Sequence, residues 1–378
     1  MNDNTPINIC HLTSVHKRND SRIFYKECLS LKNNGYNVTL IVADKGNNAI
    51  DNGISIIDIG QEKTRIKRIL FLPKKIYKAA IEVNANIYHF HDPELLFVGL
   101  KLAKKGKKVI FDSHEDFPLL AIQRDYIPKI FKKPLFLLCK SIERYITKRL
   151  SGVISATDEI SEKFSCYGVK KVETIKNYPI IPLEENSFSS TDIEKKEKNI
   201  CYVGGLTPIR GIKECVKAAY NADVPLILAG SFDSDAFFEE LKKEKEWENV
   251  NYLSFIPHKD IKEKVYDKSI IGLALLYPEP NHINSIPIKI LEYMANGLVV
   301  IASKEIKFAN KIIEENSCGF AIGYNNIKEV TNKIRFLIDN PEKAKLMAKR
   351  GRDAVLNKYN WKKEEEHLIA FYKKLTLK

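Results

Sequence analysis

An α/β architecture of two doubly wound domains is predicted for this 378-residue chain by three features. Short apolar runs alternate with amphipathic segments along its length. Those runs are nearly continuous in apolar residues, as expected of strands in a parallel sheet covered by helices on both faces. The alternation stops at residues 181–199 and then begins again. Domains of roughly 100 to 200 residues make two the natural number for this length.

In the first half the expected strands are 7–14, 37–44, 54–60, 87–92, 108–114, 152–157 and 172–177. Patterns of 3.6-residue period lie between most of them. In RIFYKECLSLKNNG, Phe24, Cys28 and Leu31 share a face and Gly35 ends the helix. Residues 181–199 lose the period and gain Pro, Ser and charge, which reads as a linker between domains 1–180 and 200–357. The second half offers strands at 200–206, 225–231, 250–256, 271–277, 298–303 and 319–323, then helices near 326–338, 341–357 and 360–376. Two Rossmann-like domains facing one another suit a central cleft at the carboxyl ends of both sheets, so chemistry is expected just after strands.

Apolar residues make up 44% and charged residues 29%, which fits a soluble globular protein and excludes collagen-like and wholly disordered classes. No window approaches the ~18 uncharged apolar residues of a membrane span. MNDNTPINIC leads straight into a β-like run without a signal segment, so residence in the cytosol is expected. Seven scattered cysteines without a CxxC pair argue against a disulfide framework or a sequence-local zinc site. The net charge of +13 is uneven: residues 1–180 hold 30 Lys and Arg against 19 Asp and Glu, and the rest hold 31 against 29. An acidic partner therefore belongs to the first half.

Residues 278–303, PEPNHINSIPIKILEYMANGLVVIAS, carry the strongest local pattern. A polar loop follows an apolar strand, and Pro287 stands where a first helical residue belongs, with Asn284 or Ser285 as its cap. Free amides at such a helix start attract phosphate. Lys289 and Glu292, three apart, project from one side. The plain alternative is a capped helix with a surface ion pair.

This segment resembles the donor-binding pattern of glycosyltransferase family 4, whose members share the GT-B fold. TSVHKRNDSRIFYKECLSLKNNGYNVTLI, HFHDPELL, VIFDSHEDFP, CYVGGLTPIRGIKE and the terminal YNW extend the resemblance over the chain, towards a subset in bacterial lipopolysaccharide and capsule assembly. The resemblance implies sugar transfer from a nucleotide-diphosphate sugar, with retention and without a metal or other cofactor. It also implies that helix 358–378 packs back on the first domain. Of the family's paired glutamates the second matches Glu292, for the ribose hydroxyls. The first falls on Asn284, which contacts sugar hydroxyls without a charge.

VGGLTPIRGI, residues 203–212, is a glycine-rich turn without the GxGxxG spacing of a dinucleotide site. Of two basic positions that the family often carries there, one matches Arg210 and the other is Gly205. By resemblance Arg210 and Lys289 share the diphosphate, doing what a metal does in other transferases. A solvated charge is the bland alternative for Arg210. The backbone around Phe255–Pro257 is expected to meet the nucleobase.

In the first domain, only one of His89 and His91 is expected to face the cleft. By resemblance His91 stands near the donor sugar, and His89 reads as a structural histidine. His114 and Glu115 are weaker candidates. Asp92, Asp112 and Asp116 do not suggest a metal site, because nothing nearby in sequence completes a ligand set. In SVHKRNDSRIF, His16, Asp20 and Arg22 replace the family's usual glycines on the acceptor side. His16 with Asp20 can also form a general base for an inverting reaction.

Two segments, 63–78 and 124–149, mix basic residues with apolar ones such as Phe131, Leu135, Phe136 and Leu138. Such stretches can lie on an anionic bilayer, which would bring the enzyme to a lipid-linked oligosaccharide acceptor at the inner face of the plasma membrane. Ordinary amphipathic helices with a lysine-rich solvated face are the alternative. No recognition-helix, zinc-finger or RNP-like pattern invites nucleic acid. Two rivals remain at this stage: a nucleotide-sugar 2-epimerase on the same fold, and a catalytically silent partner subunit.

Overall fold

Every apolar run of the first half carries a strand in the computed structural model, which describes residues 6–122, 127–181 and 196–376. The strands are β1 (Asn8–Leu12), β2 (Asn37–Val42), β3 (Ala49–Asp51), β4 (Ile54–Asp58), β5 (Ile87–Phe90), β6 (Lys108–Ser113), β7 (Gly152–Ser155) and β8 (Val172–Thr174). They form one sheet in the order β3-β4-β2-β1-β5-β6-β7-β8, parallel except for the β3–β4 pair. The unforeseen β3 is the arm of a hairpin whose two turn residues, Asn52 and Gly53, both have positive φ, the usual geometry of a tight β-turn between antiparallel strands.

Neighbouring residues of one strand feed opposite cores. Cys10, Tyr88, Val109 and Val153 pack on one face, and Ile9, Ile87, Ile110 and Ile154 on the other. That two-sided burial is why these runs are continuously apolar. The helix Trp361–Thr376 at the end of the chain completes the second of these cores with Trp361, Leu368, Phe371 and Leu375. It thus belongs with residues up to Asn177, while Tyr178–Asn360 form a separate unit.

The second unit holds β9 (Asn199–Val203), β10 (Leu226–Ala229), β11 (Val250–Tyr252), β12 (Ser269–Ala274), β13 (Val299–Ser303) and β14 (Gly319–Ile322). Their order is β11-β10-β9-β12-β13-β14, all parallel. The same division recurs: Ile200 and Tyr202 face one core, Cys201 and Val203 the other. Most of the expected linker, residues 182–195, lies outside the described residues. At its edges Tyr178 and Ile181 pack into the second unit, and buried Lys196 donates to the carbonyls of Tyr266 (2.6 Å) and Asn296 (2.8 Å).

In both sheets the strand order reverses beside the first strand of the unit: β1 lies between β2 and β5, and β9 between β10 and β12. Crevices open beyond strand ends at such switch points. Leu368 is fully buried on the terminal helix. Leu368→Ala should destabilise the first unit by about 2–5 kcal/mol, read as a lower urea midpoint of its unfolding transition at unchanged slope.

Candidate functional site

Polar residues collect at the switch point of each unit. In the second, β9 runs into Gly204 and Gly205, and the following turn ends at Arg210. Gly204 has φ +131°, and a Cβ placed on it would lie 3.3 Å from Lys289 Nζ and 3.7 Å from an Arg210 guanidinium nitrogen. A Cβ on Gly205 would lie 3.6 Å from the same guanidinium. The two cations therefore converge over a turn that has no side chains of its own. The turn after β10 closes against it, since a Cβ on Gly230 would sit 1.8 Å from the Gly204 carbonyl oxygen. Only glycine fits there.

Lys289 lies in the first turn of the helix Ile288–Ala295. Its ammonium donates to the Tyr202 hydroxyl and sits 3.7 Å from the centre of the Tyr202 ring. Tyr202 in turn donates to the Gly205 carbonyl at 3.1 Å. Removal from water, and then repulsion from Arg210, push the Lys289 amine down to about 7. Among the described residues neither Arg210 nor Lys289 forms an ion pair with a carboxylate. Glu292, on the same helix, accepts from Tyr266 at 3.3 Å and faces His258 Nε2 at 3.7 Å. His258 follows Pro257, which is exposed, as is Phe255. Gly205, Arg210, Lys289, Glu292 and the Pro257 loop thus fall at one sheet edge.

Asn284 and Ser285 are placed differently from expectation. Pro287 takes the cap position and the helix starts at Ile288 with no side-chain cap. Ser285 bonds back to the His282 carbonyl through Oγ (2.9 Å) and N (3.0 Å), closing the short helix Pro280–Ile283, and Asn284 is exposed at that helix's end. The Pro-flanked loop spends its polar groups on its own turn.

In the first unit the segment after β1 enters a wide turn, Ile23–Cys28, of π-helical form. A turn that closes on the fifth residue stacks residues five apart, so Arg22 and Glu27 both point inward. Arg22, expected on the acceptor side, is instead buried: it holds Asp112 with two hydrogen bonds of 2.9 Å and donates to the Ile175 carbonyl at 2.8 Å. Against the cost of burial, the Arg22 guanidinium keeps the Asp112 carboxyl well below its usual range. His114 Nε2 lies 2.9 Å and His91 Nδ1 3.3 Å from the same carboxylate. His16 and Asp20 are half-buried and paired at 3.2 Å, and His16 Nε2 is 3.5 Å from Asp92. Asp92 itself accepts from Thr13 Oγ1 (2.8 Å) and the Ser14 amide (2.6 Å).

His89 and His91 do not point apart. Two positions apart along an extended run, they lie on the same face of the sheet, and both rings join one buried cluster, 4.6 Å between centroids. His11 completes it, with Nδ1 2.9 Å from His91 Nε2, and His89 Nδ1 is 2.8 Å from the Tyr372 hydroxyl. The Glu27 carboxylate stands among the three rings, fully buried, 3.0 Å from Arg22 Nε through Oε1 but without a hydrogen bond on either oxygen. Burial, then Asp112, pushes the Glu27 carboxyl up, and burial pushes His11, His89 and His91 down. Among the described residues two groups have the donor set for a metal ion: His11, Glu27, His89 and His91, and His91, Asp112 and His114. Around Asp112, for which the sequence offers no completing set, the fold gathers His114 from two residues on and His91 from the end of the neighbouring β5. Sequence reading also missed His11, Glu27, Tyr202, Tyr266 and Tyr372. Glu27 left a signal, falling three residues after Phe24 on the apolar face of its turn.

The lowered Lys289 amine has a defined pH consequence. Between about 7 and its ordinary value of 10.5, the unfolded chain binds a proton there that the folded chain does not. Stability from this group therefore rises with pH across that window and is lost as pH falls through the folded value. Lys289→Met should abolish that component: the Tm advantage of the variant over the parent is largest near pH 7 and shrinks towards pH 10.

Two family models match, one on each side of the unit boundary. The family described as "Glycosyl transferases group 1" matches residues 184–354, and "Glycosyltransferase Family 4" matches residues 21–178. An alpha-D-kanosaminyltransferase of Streptomyces kanamyceticus is 20% identical over 264 residues, 66% of this chain and 67% of that protein. An uncharacterized glycosyltransferase of Methanocaldococcus jannaschii is 22% identical over 319 residues, 80% and 77% of the two chains. Sucrose-phosphate synthase from Thermosynechococcus elongatus superposes with a TM-score of 0.72 at 18% identity, covering 98% of this chain and 99% of its own. Anabaena HepE in complex with UDP and glucose gives 0.70 at 15% identity, covering 97% and 100%. With these models matching both halves and the same two-sheet fold in the solved relatives, the chain belongs to glycosyltransferase family 4 and is a transferase of the GT-B fold.

Proposed function

We propose that this glycosyltransferase takes its sugar from a nucleoside-diphosphate sugar bound at the carboxyl edge of the second unit, and passes it with retention to a lipid-linked oligosaccharide in the assembly of a bacterial surface polysaccharide. The observation that carries the donor reading is the meeting of Arg210 and Lys289 over the bare Gly204–Gly205 turn. A diphosphate fits there because the glycines let its oxygens approach the backbone and two cations offset its charge. As the glycosidic bond to the diphosphate breaks, negative charge grows on the leaving oxygen, and fixed cations stabilise that state more than the ground state without a metal at the phosphates. Glu292 offers two acceptor oxygens for ribose hydroxyls, steadied by Tyr266. A structural relative binding UDP and glucose supports the ligand class.

The acceptor reading rests on the first unit's surface. The helix Arg65–Val83 exposes Ile66, Ile69, Leu70 and Phe71 beside Arg65, Lys67, Lys74 and Lys75. The helix Lys129–Thr147 exposes Ile130, Phe131, Leu137 and Leu138 beside Lys129, Lys133 and Lys140, while Leu135 and Phe136 are half-buried. These are not merely lysine-rich solvated faces, because their outward positions include large apolar side chains that water does not favour. Apolar insertion together with basic attraction suits peripheral attachment to an anionic leaflet. Among the described residues no helix is long and apolar enough to cross a membrane.

With radiolabelled donor and a membrane extract, label should move into lipid; label that stays in an isomerised donor would instead indicate an epimerase. Arg210→Ala should lower kcat about 10²- to 10³-fold, and Glu292→Ala should raise the donor KM about 10-fold or more. Unchanged kinetics in both variants would remove the donor reading. For the acceptor side, the protein should sediment with phosphatidylglycerol vesicles and not with phosphatidylcholine vesicles, and Ile130→Ser with Phe131→Ser should release most of it. Equal recovery on both vesicles, or none on either, would refute attachment by this surface.

A further inference from the structure

The polar cluster beneath the first unit's switch point holds more metal-binding chemistry than the donor reading uses. His11 and His89 are register partners on adjacent parallel strands, so their rings lie side by side on one face of the sheet, 4.6 Å between centroids. His91 joins them just past the end of β5, and the π-turn delivers Glu27 from the layer above. Glu27 Oε2 stands 4.0 Å from His11 Nδ1, 3.8 Å from His89 Nδ1 and 3.9 Å from His91 Nε2. Those distances are too long for hydrogen bonds. They come near the span of donors around a common ion, since ligands about 2.1 Å from zinc lie roughly 3.4 Å apart across a tetrahedron.

We propose that His11, Glu27, His89 and His91 form a buried site for one divalent transition-metal ion of the zinc class, with a structural role in the first unit. Three imidazoles and one carboxylate select such an ion over magnesium or calcium, which favour oxygen-rich shells. The surroundings supply what metal-bound histidines need. His91 Nδ1, buried without a hydrogen bond, faces the Asp112 carboxylate at 3.3 Å, the side from which a carboxylate would orient a ligating ring, and Arg22 holds that carboxylate in place. His11 turns Nε2 towards the Tyr372 hydroxyl at 3.5 Å. Tyr372 also reaches His89 Nδ1 at 2.8 Å, so a bound ion takes that nitrogen's lone pair and leaves the hydroxyl to His11. Both Glu27 oxygens are buried without a hydrogen bond, a cost that an ion at Glu27 offsets. The second donor group, His91 with Asp112 and His114, is the weaker site because the Asp112 oxygens are already engaged by Arg22 and His114.

The site is independent of the donor reading, and its test does not use transfer activity. The full chain, freed of any histidine tag and dialysed, should carry close to one zinc per chain by elemental analysis. Removal by chelator should lower Tm by several degrees, with recovery on adding zinc chloride but not magnesium chloride. Cobalt(II) exchanged into the site should give the visible absorption of a four- or five-coordinate ion. His89→Gln and Glu27→Gln should reduce bound metal at least 10-fold while circular dichroism keeps the α/β spectrum. If a variant fails to fold, elemental analysis and the cobalt spectrum of the parent chain decide. A parent chain that retains less than about a tenth of an equivalent and shows no thermal shift with zinc would overturn the proposal, and so would folded variants that keep the metal.

Discussion

The double hydrogen bond between Arg22 and Asp112, made where almost no solvent reaches, is the contact on which the first unit's polar architecture depends. Burying two charges is costly unless geometry and further partners compensate, and losing one partner of such a pair typically costs about 3–5 kcal/mol. Here the compensation is complete on the arginine: two nitrogens serve Asp112 and a third serves the Ile175 carbonyl. The pair joins the turn after β1, the end of β6 and the segment after β8. It also fixes the phase of the π-turn, and that phase carries Glu27 inward instead of leaving it in water. An α-helical turn would put residues 22 and 27 on different sides, so the ion pair and the irregular helix require each other.

The second unit meets the same topological demand with backbone rather than with buried charge. The turns after β9 and β10 approach so closely that Gly230 has no room for a side chain, and Gly211 is held likewise against the Leu275 carbonyl. Close approach leaves open backbone at the sheet edge, and the cations that reach it come from outside the turn: Arg210 from its far end and Lys289 from the following helix. A side chain on Gly204 or Gly205 would fill the space that these two groups approach.

The strands and the helix at the chain's end were legible because two-sided burial writes itself into sequence as unbroken apolar runs. β3 escaped notice because it is three residues long and exposed, although the Asn52–Gly53 pair marked its turn. Lys289 and Glu292 were legible through helical spacing and Arg210 through the glycine-rich turn, since each lies within a few residues of its motif. The histidine cluster was not, because it joins residues from 11 to 372 that only the pairing of β1 with β5 and the packing of the terminal helix bring together. Arg22 was placed towards an acceptor because, by resemblance, it stands where the family usually has a glycine on that side. Its partner, Asp112, was ninety residues away.

Local charge balance separates the two switch points. Around the second, no acidic group pairs with Arg210 or Lys289 among the described residues, and Glu292 acts on Lys289 only at a distance. Short of water first and crowded by the Arg210 guanidinium second, the Lys289 ammonium gains by losing its proton. Around the first, Glu27 and Asp112 share Arg22, and the three clustered histidines are driven towards their neutral form by burial. The group left without a partner there is the Glu27 carboxyl, pushed up by burial and hydrogen-bonded on neither oxygen. A folded protein keeps an unbalanced buried group where something else supplies the missing charge. By that argument the second edge is complementary to an anion and the first to a cation, although the two sheets share one topological rule.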